Sequence, residues 1–391
     1  MGNNDTTVAE GGMDFELSES QKAVQELART FAEKEMRPVV MKYDESQEFP
    51  FEIVRKLSEL GFMGMTWPED LGGAGLTDLD AIVIIEELAK VDPSVALTVA
   101  SHNSLCTGHI MQFANDNLRK KYVPDLATGK KLGAWGLTEP GSGSDSGGMR
   151  TIATRDGSDW IINGSKTFIT QGSVGSTYVI MAVTDREKGK NSISAFILEK
   201  GVKGFTIGKK ENKLGMRCSD TATLLFDNVR VPGDNLIGNV GEGFKQALKV
   251  LDGGRVGIAA LSVGIAQGAL DASLKYAKER MQFGKHLADF QAIQWKLADM
   301  ATEIGAARLL TQRAAWMRTK GMNINLEVAQ AKYFASEAAV RATNEAVQIH
   351  GGYGFIKDYP VEKLYRDVKL MTIGEGTSEV QKMVIARNIL H

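Results

Sequence analysis

Between Leu132 and about residue 240 the hydrophobic period of this 391-residue chain changes from that of helices to that of strands, and then it changes back. Trp160–Thr170, Tyr178–Thr184, Ser192–Leu198 and Thr221–Val231 are short β-rich runs separated by Gly, Asp and Lys. About 100 residues of this texture suit one small β-barrel or sandwich. They contain no βαβ alternation, which argues against a doubly wound nucleotide-binding sheet. Asn163-Gly164 inside the first run predicts a hairpin turn between two short strands. The fold class is therefore α+β, with a helical domain over 13–132, a β-domain over 133–240 and a second helical domain over 241–391. Residues 1–12 are polar and Gly-rich and are expected to form a disordered leader, because Met13 looks like a second start.

Helical patterns fill both flanks. Ser18-Glu-Ser-Gln21 has capping-box spacing and opens a helix that Pro38 stops. Phe51–Leu60, Leu79–Lys90 and Ser94–Phe113 follow, and after the β-region Gln291–Lys320 and Leu326–Ile349. Gly257, Ala260, Gly264 and Gly268 recur on one face of the stretch after Gly243, where they let a neighbouring helix approach closely. Asp252, Arg255 and Gln267 interrupt that stretch, so no membrane span is expected there.

Charge and composition remove several functions. Lys+Arg 46 against Asp+Glu 48 gives a formal net charge of -2, which offers no footprint for nucleic acid or an anionic membrane. Two cysteines, Cys106 and Cys218, point to a reducing compartment, and the five scattered histidines have no ligand spacing.

Four segments carry residue types with chemistry. Gly374-Glu375-Gly376 places a carboxylate in a flexible turn, with Thr377 or Ser378 as cap of the last helix. In isolation this is either a charged turn residue or a functional carboxylate. Leu137-Thr-Glu-Pro-Gly-Ser-Gly-Ser-Asp145 is dense in Gly and Ser, which suits a surface loop or contact with phosphate or a polar cofactor edge. Its glycine spacing is not that of a dinucleotide fingerprint. Arg280-Met-Gln-Phe-Gly284 sets a cation, an amide and an aromatic at a helix end, for a diphosphate and ring or for the helix dipole alone. Gln348-Ile-His-Gly-Gly352 reads as a helix C-cap with a spare amide.

Together with Asn163-Gly-Ser-Lys166, Tyr365-Arg-Asp367 and Glu375-Gly-Thr377, these segments stand in the order found in the acyl-CoA dehydrogenase family, which the chain resembles from Met13 onward. The resemblance implies a helical domain, a β-domain and a C-terminal four-helix domain in a homotetramer, with FAD and an acyl-CoA thioester as ligands. It makes Glu375 the base that takes the pro-R α-proton, while the β-hydrogen leaves as hydride to the flavin and a trans-2-enoyl-CoA forms. It implies flavin contacts from Trp135, Leu137, Thr138, Gly143, Ser144, Phe168 and Thr170. Arg280, Gln282, Phe283, Gln348 and Gly352 match contacts to a neighbouring subunit's flavin, and Thr377 and Glu379 match positions near the pyrophosphate and ribityl end. Ser144, Leu251, Asp252, Arg255 and Gly374 match substrate contacts. An electron-transferring flavoprotein is the implied partner, in a bacterial cytoplasm or a mitochondrial matrix.

Some positions depart from the common pattern. Gly374 stands where many members have Tyr, Phe168 where many have Trp, Trp135 where many have Tyr or Phe, and Glu379 for a frequent Gln. Gly254 occupies the position where one branch keeps its base, so Glu375 has no rival there. Gly374 and Gly254 together are read as widening the cavity around the reacting carbons. A short straight-chain substrate is the default, with tolerance for branched, cyclic or aryl-bearing acyl groups. Two alternatives differ in kind. An acyl-CoA oxidase would carry a long extra C-terminal region, and a non-catalytic binding protein on the same scaffold would carry a basic extension.

Overall fold

The computed structural model describes residues 16–390; the leader 1–12 and Met13 lie outside the described residues. The first helix, Glu19–Phe31, starts at the Ser18/Gln21 capping box and runs into a π-helical turn, Ala32–Met36, before Pro38. A second capping box, Thr77 with Asp80, opens Asp78–Ala89. Pro93–Ser101 continues through a π-helical segment, His102–Thr107, into Gly108–Phe113, so the one helix expected there is interrupted by a bulge. Such bulges concentrate at functional sites. Here it brings two buried histidines against the first strand of the sheet.

The organising element is the 37-residue helix Gly243–Glu279. The glycines on its small face do what their spacing predicts. A Cβ on Gly264 would meet the Glu86 carbonyl at 2.4 Å, and one on Gly268 the Lys90 carbonyl at 2.5 Å, so helix Asp78–Ala89 lies directly on them. By length and composition this helix is long and apolar enough to cross a bilayer. It is instead buried over most of its length among Asp78–Ala89, Gln291–Thr319 and Asn325–His350.

The middle of the chain forms eight strands: β1 (Gly133–Gly136), β2 (Ile152–Asp156), β3 (Asp159–Thr170), β4 (Thr177–Val183), β5 (Ile193–Glu199), β6 (Phe205–Lys210), β7 (Thr221–Val231) and β8 (Leu236–Ile237). They make one mixed sheet in the order β6-β7-β3-β2-β4-β5-β8, with β1 parallel to β4. Every residue of β4 is buried, because both faces are covered. Tyr178, Ile180 and Ala182 point into the sheet's own core with Trp160, Phe196 and Leu224, while Val179, Met181 and Val183 pack towards the helices.

Asn163-Gly164 is not a hairpin turn. Both residues lie inside the continuous strand β3, at a register shift between Ile162 and Gly164. Asn163 accepts the Asn228 N–H of β7 at 2.7 Å, and Gly164, at φ 139°, lies so close to Thr151 that a Cβ would stand 2.7 Å from its Cα. The dipeptide serves a bulge, which shares the turn's need for an open backbone. The hairpin falls at Gly157-Ser158, where Asp156 pairs with Asp159 and Gly157 has φ 61°.

A buried ionic clasp joins the three parts. Lys363 donates to Asp92 at 2.9 Å and Asp367 at 2.6 Å, Asp367 accepts the Met216 N–H at 2.5 Å, and Cys218 lies 3.6 Å from Asp92. The two carboxylates hold Lys363 above the ordinary lysine range despite its burial.

Candidate active site

The Gly-Glu-Gly turn is strained in a way sequence could not specify. Glu375 adopts φ 53°, a left-handed conformation rare for a residue with a side chain, and Gly376 follows at φ 98°. Holding it costs about 1–3 kcal/mol, which its surroundings supply. Arg255 donates from Nε to the Glu375 carbonyl at 3.2 Å, Lys332 from Nζ to the Gly376 carbonyl at 2.7 Å, and Gln381 to the same carbonyl at 3.0 Å. Thr377 caps the last helix, its hydroxyl accepting the Val380 N–H at 3.3 Å, whereas Ser378 turns inward to Glu337. Glu379 is an exposed first-turn acid whose carboxyl the helix N–H groups hold below its ordinary range.

The conformation throws the carboxylate inward. The residue as a whole is half-buried, but Oε2 is buried and has no hydrogen-bond partner among the described residues. The head rests on Gly254, where a Cβ would stand 2.0 Å from Oε2. This overturns the reading of Gly254 as cavity space, because the carboxylate itself takes the room. Gly374 is not forced by φ either; a Cβ there would meet Leu370 at ordinary contact, 3.4–3.7 Å. Burial pushes the Glu375 carboxyl up to about 7, with Arg255 and Lys332 pulling the other way. Lys332 donates to the Gly376 carbonyl, and Arg255 to the Glu375 carbonyl and to Asp252, so among the described residues neither cation forms an ion pair with the carboxylate. Arg255, expected at the substrate, is only 5% exposed and is paired with Asp252 at 2.8 Å beneath the turn.

One residue round the same helix a narrow slot of about 40 Å³ opens between helices. Ala81, Ile82, Ile85, Ala100, Val256 and Gly257 line it. Arg318 closes it: its guanidinium would lie 3.0–3.1 Å from a Cβ on Gly253, it donates to the Gly253 carbonyl at 3.2 Å, and Asp78 stands 3.6 Å away.

The residues expected at a flavin fall into two groups. Trp135 and Leu137 share a buried cluster with Ala247, Val250 and Leu251, within two turns of Gly254. Thr138 accepts the Thr167 N–H at 2.9 Å, which sets the 137–145 loop beside the end of β3. Glu139 anchors that loop by accepting from Arg150 N, Thr151 N and the buried Lys166, leaving Gly143 and Ser144 open to solvent. Phe168 sits at a second bulge of β3 with φ 57° and is 65% exposed, while the neighbouring Thr170 is half-buried. A bulge of this kind re-aims one side chain out of the sheet. The Trp135 indole donates to His109 Nδ1 at 3.0 Å, and His102 Nδ1 accepts the Gly133 N–H at 3.1 Å. Burial holds both imidazoles neutral, at about 4.

The second group lies at the far end of the long helix, about 26 residues or roughly 39 Å from Gly254 at the helical rise. Arg280, Gln282 and Gly352 line a cleft of about 480 Å³ with Tyr353, whose ring lies 5.3 Å from the Arg280 guanidinium. Phe283 tips the hairpin of Met281–Gln282 with Lys285–His286 and is 93% exposed, and Gln348 ends its helix exposed beside Gly351 at φ 58°. Outward aromatics, open glycine backbone and an arginine suit a planar ring system carrying a diphosphate, so both groups fit FAD. Their separation means that one chain cannot close both around a single molecule of it.

Sequence reasoning missed Lys332, Gln381 and the role of Gly254. Lys332 had a signal: it falls at helical spacing on the face of Val328, Ala335 and Ala339, where an unexplained cation among small apolar residues stands out.

The chain matches the acyl-CoA dehydrogenase N-terminal domain over 18–130, the middle domain over 134–229 and the C-terminal domain over 241–390. It is 48% identical over 377 residues to a short-chain specific acyl-CoA dehydrogenase of Clostridium acetobutylicum, covering 96% of this chain and 100% of that one. It is 46% identical over 375 residues to subunit CarC of the caffeyl-CoA reductase-Etf complex of Acetobacterium woodii, covering 96% and 99%. Butyryl-CoA dehydrogenase from Megasphaera elsdenii superimposes with a TM-score of 0.95 at 45% identity, covering 97% of this chain and 100% of that chain. With all three domains matched and the likeness running over nearly its whole length, the chain belongs to the acyl-CoA dehydrogenase family of oxidoreductases.

Proposed function

We propose that this protein dehydrogenates a short acyl-CoA thioester between Cα and Cβ, with Glu375 as the base. The observation that carries this reading is the buried, unpartnered carboxylate held at about 7 on a left-handed turn. An α-proton is too weakly acidic for a hydrated carboxylate. A desolvated one near the working pH combines basicity with ionisation. Arg255, Lys332 and Gln381 fix its backbone, and Gly254 fixes how deep it sits. A backbone N–H of the turn beside the base would polarise a thioester carbonyl, which acidifies the α-carbon. FAD, when bound, supplies the acceptor for the β-hydrogen as hydride. Trp135, Leu137, Thr138, Gly143, Ser144, Phe168 and Thr170 of one subunit, with Arg280, Gln282, Phe283, Gln348 and Gly352 of another, would hold it. The separation of these groups supports an oligomer, and the family supports a homotetramer. Likeness to a subunit of a complex with Etf supports an electron-transferring flavoprotein as acceptor. The two free cysteines support a reducing compartment, such as a bacterial cytoplasm or mitochondrial matrix.

The test is Glu375→Gln, mixed anaerobically with butyryl-CoA in a stopped-flow spectrometer. The variant keeps its flavin and binds acyl-CoA, while bleaching slows by at least ~10²-fold, the lower end for a positioned base. Bleaching at the parental rate would refute the assignment. A parent enzyme whose reduced flavin is reoxidised rapidly by oxygen would instead favour the oxidase reading.

A further inference from the structure

Lys332 is 0% exposed, and its Nζ donates to the Gly376 carbonyl at 2.7 Å. It makes no ion pair among the described residues. A buried ammonium satisfied only by a neutral carbonyl is costly, and proteins retain one where a nearby negative charge compensates it. The charged groups around it narrow the choice of that charge. Arg255 faces it from the long helix but is already paired with Asp252, and Arg318 is engaged by Asp78 and the Gly253 carbonyl. Glu337, on its own helix, accepts from Ser378 at 2.6 Å. Glu379 is exposed on the last helix, where Lys369 and Lys382 face it. Glu337 has only the neutral Ser378 hydroxyl as partner among the described residues and adds a smaller favourable charge. The anion that acts on Lys332 most strongly is Glu375, one residue before the carbonyl that Lys332 holds.

We propose that Lys332 is the positioning residue of the base: its ammonium ties down the Gly376 carbonyl, which fixes the left-handed turn, and compensates the Glu375 carboxylate in its ionised form. The inference rests on Glu375 being the base. Each member of the pair makes the other's charge tolerable. Glu375 opposes the effect of burial on Lys332, which lies at about 8, and Lys332 opposes its effect on Glu375, at about 7.

The experiment compares Lys332→Met, Lys332→Gln and Lys332→Arg as full-length holoenzyme, following flavin bleaching by butyryl-CoA against pH. Gln keeps a donor without charge, and Arg keeps charge. The acid limb is expected to move up by about one pH unit in the Met and Gln variants, as for loss of a nearby opposite charge, and to return towards the parent in Arg. If Met does not fold, Gln and Arg carry the same comparison. An acid limb in the Gln variant that coincides with the parent's overturns the proposal. A thermal double-mutant cycle gives a readout independent of turnover: replacing Lys332 should lower Tm less in the Glu375→Gln background than in the parent. Additive Tm changes overturn it as well. A Glu375→Gln enzyme that still bleaches refutes the base itself. An unmoved profile in Lys332→Gln, with Glu375→Gln inactive, refutes only the role of Lys332.

Discussion

Replacing Gly254 by Ala adds one methyl group at the spot where the base rests. The new Cβ would lie 2.0 Å from Glu375 Oε2, 2.8 Å from Cδ and 3.1 Å from Oε1, whereas ordinary contact begins near 3.4 Å. The carboxylate must therefore withdraw by about 1.4 Å, the difference between 3.4 and 2.0 Å. It can do so by rotating its own flexible side chain, so the fold survives. Alanine inside a helix is also favoured over glycine by about 0.5–1 kcal/mol, which offsets the local disturbance. Stability and chemistry thus separate: Tm should hold or rise slightly, and flavin content should equal the parent's. A misplacement of about 1 Å in a reacting group costs on the order of 10²-fold. Anaerobic stopped-flow reduction by saturating butyryl-CoA reads this directly, and thermal unfolding of the same sample checks the fold. A Gly254→Ala enzyme that bleaches within about threefold of the parent would show that the working carboxylate does not sit on Gly254, since 10²-fold corresponds to about 2.7 kcal/mol of barrier.

Three further outcomes follow from the same structure. Because burial raises the Glu375 carboxyl to about 7 from 4.5, the base is ionised above that pH; bleaching should fall as pH drops through 7, and a limb near the ordinary carboxylate range would contradict the burial. Arg318→Ala opens the closed end of the slot, so kcat/KM for hexanoyl-CoA relative to butyryl-CoA should rise by roughly 10-fold, the worth of one or two carbons in an apolar pocket; an unchanged ratio would place the acyl tail elsewhere. Lys363→Met leaves Asp92 and Asp367 buried without their cation and should cost about 3–5 kcal/mol, read as a lower midpoint in denaturant; a loss under 1 kcal/mol would mean that water reaches the clasp.

Much of this architecture was legible in the sequence, because local rules and packing agree. The capping box at Ser18, the glycine spacing on Gly243–Glu279 and the change of period near Leu132 each report a structure within a few residues of themselves. The misreading of Asn163-Gly164 has the same origin. A bulge and a hairpin ask the same freedom of the backbone, and only the partner strand distinguishes them. The motif order also made Glu375 the candidate base before any geometry was known.

What the chain alone could not state is where that carboxylate goes and what surrounds it. Gly254 lies about 120 residues before Glu375, and Arg255, Lys332 and Gln381 come from three different helices. The properties that suit the carboxylate to the proposed role of base are its burial, its lack of a partner and the left-handed turn that aims it. Those depend on long-range packing, and no window of sequence contains it. The sequence by itself determined the domain pattern and named the candidate base. Only the tertiary structure decided that Gly254 is a seat for the carboxylate and not empty space, because a glycine reads the same whether its missing side chain leaves a cavity or makes room for a neighbour.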